Sequence, residues 1–229
     1  MQIELTISLI GLTLAVYLLS RYIASRYPSP LSTPVFFSTA LLILFLKISG
    51  LHYSDYLPAS NICSLLLGPA TVALAVPLYK NRGLLKGKLV AALTGLVMGL
   101  LVTIVSAILV ARLLGLPHSV QETMAIKSVT TPVAIELARE LAVDRVVTTA
   151  FVIVTGILVA MLAPPLLNYL KIKSALARGI AFGTIGHGIG TGQATLEGEL
   201  TGALSGLAMG VSAIIMSAVI PLCIPLLTG

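Results

Sequence analysis

Charge is the scarcest property of this sequence. Only 10% of its 229 residues are charged, tryptophan is absent, and all aromatics together make up 5%. A soluble domain of this length needs far more charge on its surface, so a soluble globular fold is excluded. Cysteine is almost missing too: Cys63 and Cys223 stand alone inside apolar segments. That excludes a disulfide framework and a zinc cluster, and leaves two buried, inert thiols. The period-2 alternation of an outer-membrane barrel is not found either.

What is present is hydrophobic sequence, at 57% of residues with a mean hydropathy of +1.06. Apolar runs near the roughly 20 residues needed to cross a bilayer recur from end to end. The chain therefore reads as an all-α polytopic membrane protein, with the lipid bilayer as its solvent. It forms one integral-membrane domain over residues 1–229, with structural repeats at about 1–114 and 115–229. The expected segments are 5–25, 31–50, 60–79, 88–114, 119–142, 145–170, 176–195 and 200–227. No basic stretch precedes the first apolar run, so that run reads as a retained helix and not as a cleaved signal.

The net charge of +6 raises the question of a nucleic-acid partner, and its distribution answers it. Nine of the fourteen basic residues fall in three short connections: Arg21 and Arg26; Lys80, Arg82, Lys86 and Lys88; Lys171, Lys173 and Arg178. No acid shares those connections. This is the positive-inside pattern, so the three connections are expected in the cytoplasm, with no nucleic acid involved. Counting crossings from an outside N-terminus, segment five must return to the face it left; an amphipathic surface helix gives the same count. Segment six then runs inward, seven outward and eight inward, which puts the C-terminus inside.

Three segments are interrupted. Residues 67–71 and Pro77 break the third, since proline in a helix interior removes a backbone bond and clashes with the preceding turn. The tip of the fifth falls near 129–132. There Ser119 and Glu122 have capping-box spacing for one half-helix, and Thr131 with Pro132 offers a cap and an N1 proline for the next. The seventh carries residues 182–194, with five glycines, two threonines, a histidine and a glutamine in an otherwise apolar run. Irregular backbone at membrane depth survives only where protein or a water-filled cavity surrounds it. Interrupted segments in both halves point to a transporter built from inverted repeats with its site at the midplane.

Half-helix N-termini present free N–H groups and partial positive charge, which suits a carboxylate or phosphate and so a small polar anion. The candidate binding residues are accordingly Gly68, Pro69 and Thr71; Lys127, Thr130, Thr131 and Pro132; and Thr184, Gly186, His187, Gly188, Gly190, Thr191 and Gln193. Lys127 is an ionisable residue at membrane depth and so a candidate charge for an anionic substrate, unless it snorkels or pairs with Glu122 or Glu136. His187 either takes part in proton coupling or binds carbonyls freed by the break. Glu136, with Arg139 and Glu140 nearby, reads as a solvated helix face. Gly198, Gly202, Gly206 and Gly210, spaced by four, read as a packing ladder that also makes a homodimer conceivable. No catalytic constellation stands out: Gly202 to Gly206 has the wrong spacing for an intramembrane serine protease, and Asp55 and Asp144 sit in loops. No enzyme activity, cofactor or metal is expected.

Three stretches together resemble the LrgB/CidB family: residues 68–79 (Gly-Pro-Ala-Thr-Val-Ala-Leu-Ala-Val-Pro-Leu-Tyr), 127–134 (Lys-Ser-Val-Thr-Thr-Pro-Val-Ala) and 183–194 (Gly-Thr-Ile-Gly-His-Gly-Ile-Gly-Thr-Gly-Gln-Ala). The resemblance covers nearly the whole chain. It implies an antiholin-like inner-membrane protein that works with a small LrgA/CidA-like partner and affects murein hydrolase activity and lysis. It also implies transport, because the plant plastidal glycolate/glycerate translocator is similar to this chain in its later half. The expected function is alternating-access carriage of small monocarboxylates of the glycolate, glycerate, lactate or pyruvate type, the alternative being control of membrane permeability and lysis.

Overall fold

The computed structural model describes residues 2–27, 29–66, 69, 79–80 and 89–228. Every regular element among them is helical, as the composition requires. The chain divides into two compact units, Met1–Ala73 and Leu74–Gly229.

In the first unit, α1 (Gln2–Arg26), a 3-10 turn (Pro30–Ser32), α2 (Pro34–Ile48) and α3 (Tyr53–Leu65) follow in order. Pro34 starts α2, where its missing N–H costs nothing. Gly50 ends it at φ 66°, with Leu51 N–H bonding back to Leu46 O and Gly50 N–H to Lys47 O, a Schellman closure. α1 packs on both neighbours, and Thr13 Oγ1 and Tyr56 Oη share a hydrogen bond of 3.1 Å between α1 and α3. α3 begins seven residues before the expected start because Asp55 Oδ2 accepts the His52 N–H at 2.8 Å and closes the first turn. The expected break at 67–71, with Pro77, lies outside the described residues except for Pro69.

The second unit holds α4 (Leu89–Leu113), α5 (His118–Ala125), α6 (Thr131–Glu140), α7 (Arg145–Tyr169), α8 (Ala175–Glu197) and α9 (Glu199–Thr228). Among the described residues, α1, α4, α7 and α9 are long and apolar enough to cross a membrane. The core of this second unit is a layer of Leu96, Leu100 and Ile104 from α4, Ile126 and Val129 after α5, Leu137 from α6, and Met216 and Ile220 from α9. α4, α6 and α7 each end as α2 does, through a residue in the left-handed region: Gly115, Ala142 and Lys171. Both cysteines are free and half-buried rather than buried.

Two expectations change here. The fifth segment is indeed broken, but its caps differ. Pro117 occupies the N-cap of α5 and Thr130 that of α6, neither with a side-chain capping bond. Ser119 and Glu122 form no capping box, because Glu122 turns to His118 at 3.6 Å. The seventh segment does not run straight across. Arg178 in its first turn and Glu197 in its last are joined by two hydrogen bonds of 2.6 Å, whereas a straight helix would separate them by about 28 Å. α8 is a hairpin of two arms, 175–186 and 188–197, reversing at His187 (φ 41°, ψ −130°).

Candidate functional site

The first tip lies between α5 and α6. These helices have eight and ten residues, so they reach about 12 and 15 Å, half a hydrocarbon core each. α5 packs on α4 and α6 on α7. The connecting residues Ile126, Ser128 and Val129 are almost wholly buried. Lys127 Nζ donates to Thr103 Oγ1 at 2.9 Å and to Ser128 Oγ at 3.4 Å, and the two hydroxyls are 3.2 Å apart. Thr103 lies ten residues before the end of α4, about 15 Å in, so the tip stands near half-height. Among the described residues no carboxylate pairs with Lys127: Glu122 is held by His118, and Glu136 by Arg139 on an exposed face.

The second tip is the reversal of α8. His187 is buried, and its Nε2 lies 3.0 Å from Val152 O on α7. A carbonyl only accepts, so Nε2 carries the proton and Nδ1 is left as the acceptor of the neutral ring. Gly156 makes room for that ring: a Cβ there would stand 2.8 Å from His187 Cε1. Gly183 lets the first arm lie directly on α9, where a Cβ would collide with Ser205 O. Counting back equal lengths from the α6–α7 turn brings the start of α6 level with Val152 and Gly156.

Both tips reach α4. Thr184 touches it at Gly99, its methyl 3.4 Å from where a Cβ would be, one helical turn from Thr103. Thr184 Oγ1 is buried with no partner, as is Ser212 Oγ on α9. Buried hydroxyls without partners are uncommon in folded proteins. Two half-helices, α6 and the second arm of α8, begin at the tips and aim their N-terminal N–H groups there. An ammonium, unpaired hydroxyls and helix N-termini are the kinds of group from which anion sites in membranes are built.

The family model described as LrgB-like matches residues 13–226. The chain belongs to the LrgB-like family. This LrgB-like chain is 36% identical over 186 residues to the uncharacterized protein YxaC of Bacillus subtilis, covering 81% of each. It is 32% identical to YwbG of the same organism over 77% of this chain and 79% of the relative. It is 30% identical to the holin-like protein CidB of Staphylococcus epidermidis over 78% of each. No solved structure matches it.

In this LrgB-like chain the residues singled out from sequence separate into groups. Lys127, Thr130, Thr131 and Pro132 form the first tip; Thr184, Gly186, His187, Gly188 and Gly190 form the second. Thr191 faces α9 instead, sharing a 2.9 Å hydrogen bond with Ser205 Oγ. Gln193 leaves its Oε1 buried without a partner in the returning arm. Gly68 and Thr71 lie outside the described residues, and Pro69 belongs to the first unit and is exposed. Thr103, Ser128 and Ser212 were not foreseen; the available signal was a hydroxyl in the middle of an otherwise apolar span. In the glycine ladder, Gly202 packs against Thr195 whereas Gly210 faces open space, so the ladder serves the α8 hairpin at only one end.

Proposed function

We infer that this protein is the substrate-carrying core of a transporter for small carboxylate anions of the glycolate, glycerate, lactate or pyruvate type, working by alternating access with a small LrgA/CidA-like partner. The observation that carries the reading is Lys127: a cation at the tip of a half-length helix pair, bonded only to hydroxyls. An unpaired ammonium away from water is costly, and a carboxylate ligand offsets that cost. The unpartnered hydroxyl of Thr184, which meets α4 one turn from Thr103, adds a neutral donor from a further helix. Returning helix pairs that meet near half-height are the form in which carriers expose one site to each face in turn.

Topology is part of the same reading. With the three basic connections in the cytoplasm, a hairpin at α8 sends α9 outward, so the C-terminus faces outside and not inside as parity alone suggested. The name of the CidB relative favours a second reading, a holin-like protein that controls permeability and lysis. Uptake of labelled glycolate, lactate and pyruvate into proteoliposomes, with and without the small partner, separates the two. Saturable uptake without dye leakage is expected; leakage with no saturable uptake in either preparation would sink the carrier reading.

A further inference from the structure

At the base of the α8 hairpin, away from both tips, lies a cavity of about 650 Å³. It is lined by the end of α7, the 171–173 connection, the start of α8 and the first turn of α9, with Lys171, Lys173, Arg178, Glu197 and Thr201 among its walls. Its charges do not cancel. Arg178 and Glu197 neutralise each other through two hydrogen bonds, and Arg178 Nη1 donates to Asn168 Oδ1 at 3.0 Å and Ile172 O at 2.9 Å. Lys171 and Lys173 have no carboxylate partner among the described residues.

The backbone adds to the imbalance. The carbonyl end of α7 is closed on itself, with Ile172 N–H on Leu167 O and Lys171 N–H on Asn168 O. The amide end of α8 is open: Ser174 at its N-cap gives no side-chain bond, and Ala175 of its first turn lines the cavity. Two free ammonium groups and an uncapped helix start thus face a space larger than the ~300 Å³ at which small-molecule sites begin. Such basic recesses between helix ends at the membrane face suit phosphate-bearing groups.

We propose that this recess binds a phosphate-bearing anion through Lys171, Lys173 and the first amides of α8, pinning the base of the hairpin while leaving the Arg178–Glu197 pair intact. The ligand is either a phospholipid headgroup or phosphate in solution, and two arms of one experiment tell these apart. The purified full-length protein is placed in nanodiscs of phosphatidylcholine alone, with inorganic phosphate titrated in, or in nanodiscs of phosphatidylcholine mixed with increasing phosphatidylglycerol. Tm is followed in both.

A saturable rise is expected in one arm, and that arm identifies the source. K171N/K173Q, in which Asn keeps the left-handed backbone at position 171 (φ 57°), should weaken the apparent affinity about 30-fold, from ~1 kcal/mol per lysine. K80Q, which removes a lysine from a different basic connection, should leave it unchanged. No rise in either arm, the same rise in the double variant, or an equal loss in K80Q would each overturn the proposal. Transport is not read, so this result stands apart from that of the uptake assay.

Discussion

Lys127 and Thr103 show how differently two residues of one site present themselves. A lysine in an apolar run announces itself, because any ionisable group at membrane depth needs a reason to be there. A threonine does not, since its hydroxyl ordinarily satisfies itself on the preceding turn; only the fold reveals that Thr103 holds the Lys127 ammonium at 2.9 Å. Replacing Lys127 by Gln removes the charge but keeps an amide donor. Uptake at subsaturating substrate should then fall about 10- to 100-fold, the worth of a charge-assisted hydrogen bond; initial rates across substrate concentrations check this, and wild-type values would remove Lys127 from the site. A second residue-scale expectation concerns stability. Ala142 sits at φ 55° where its counterparts ending α2 and α4 are glycines. Ala142→Gly should therefore raise stability by about 0.5–1 kcal/mol, read as an increase of about 2 °C in Tm.

Among elements, α8 taught the most. Its break was legible from glycine density and from His187, and the helices on either side were placed to within a few residues. Its direction was not legible. The same glycines permit either a kink or a reversal, and what decides between them is a bond between Arg178 and Glu197, nineteen positions apart, that no periodicity encodes. α5 and α6 carry the matching lesson: their break was readable from Pro132, yet the capping residues shifted because Glu122 found His118. The Arg178–Glu197 pair is only slightly exposed, at 12% and 16%, so breaking it strands a carboxylate. Arg178→Met should cost about 2–3 kcal/mol, at or just below the ~3–5 kcal/mol of a fully buried pair because water still touches it. The double variant R178M/E197L should recover most of that loss. A thermal-denaturation double-mutant cycle measures both, and additive effects would show that the two side chains do not hold the hairpin together.

For the whole molecule, membrane class and family were evident from composition and from three motifs. The crossing count was not, because one returning segment reverses every orientation after it. With α8 as a hairpin and the basic connections inside, a C-terminal alkaline phosphatase fusion should be active outside the cytoplasmic membrane, and a C-terminal green fluorescent protein fusion dark. A bright fluorescent fusion with an inactive phosphatase would restore the opposite orientation and require α9 to start from the outer face.

The close approach at Gly183 has a further consequence, for how the protein is made. The first arm of α8 rests on the backbone of α9 at Ser205, yet α8 leaves the ribosome before α9 exists. Of the surfaces that receive α8, those on α4 and α7 are already made and the one on α9 is not. The packing of the first arm is therefore completed only when α9 has been made, near the end of synthesis.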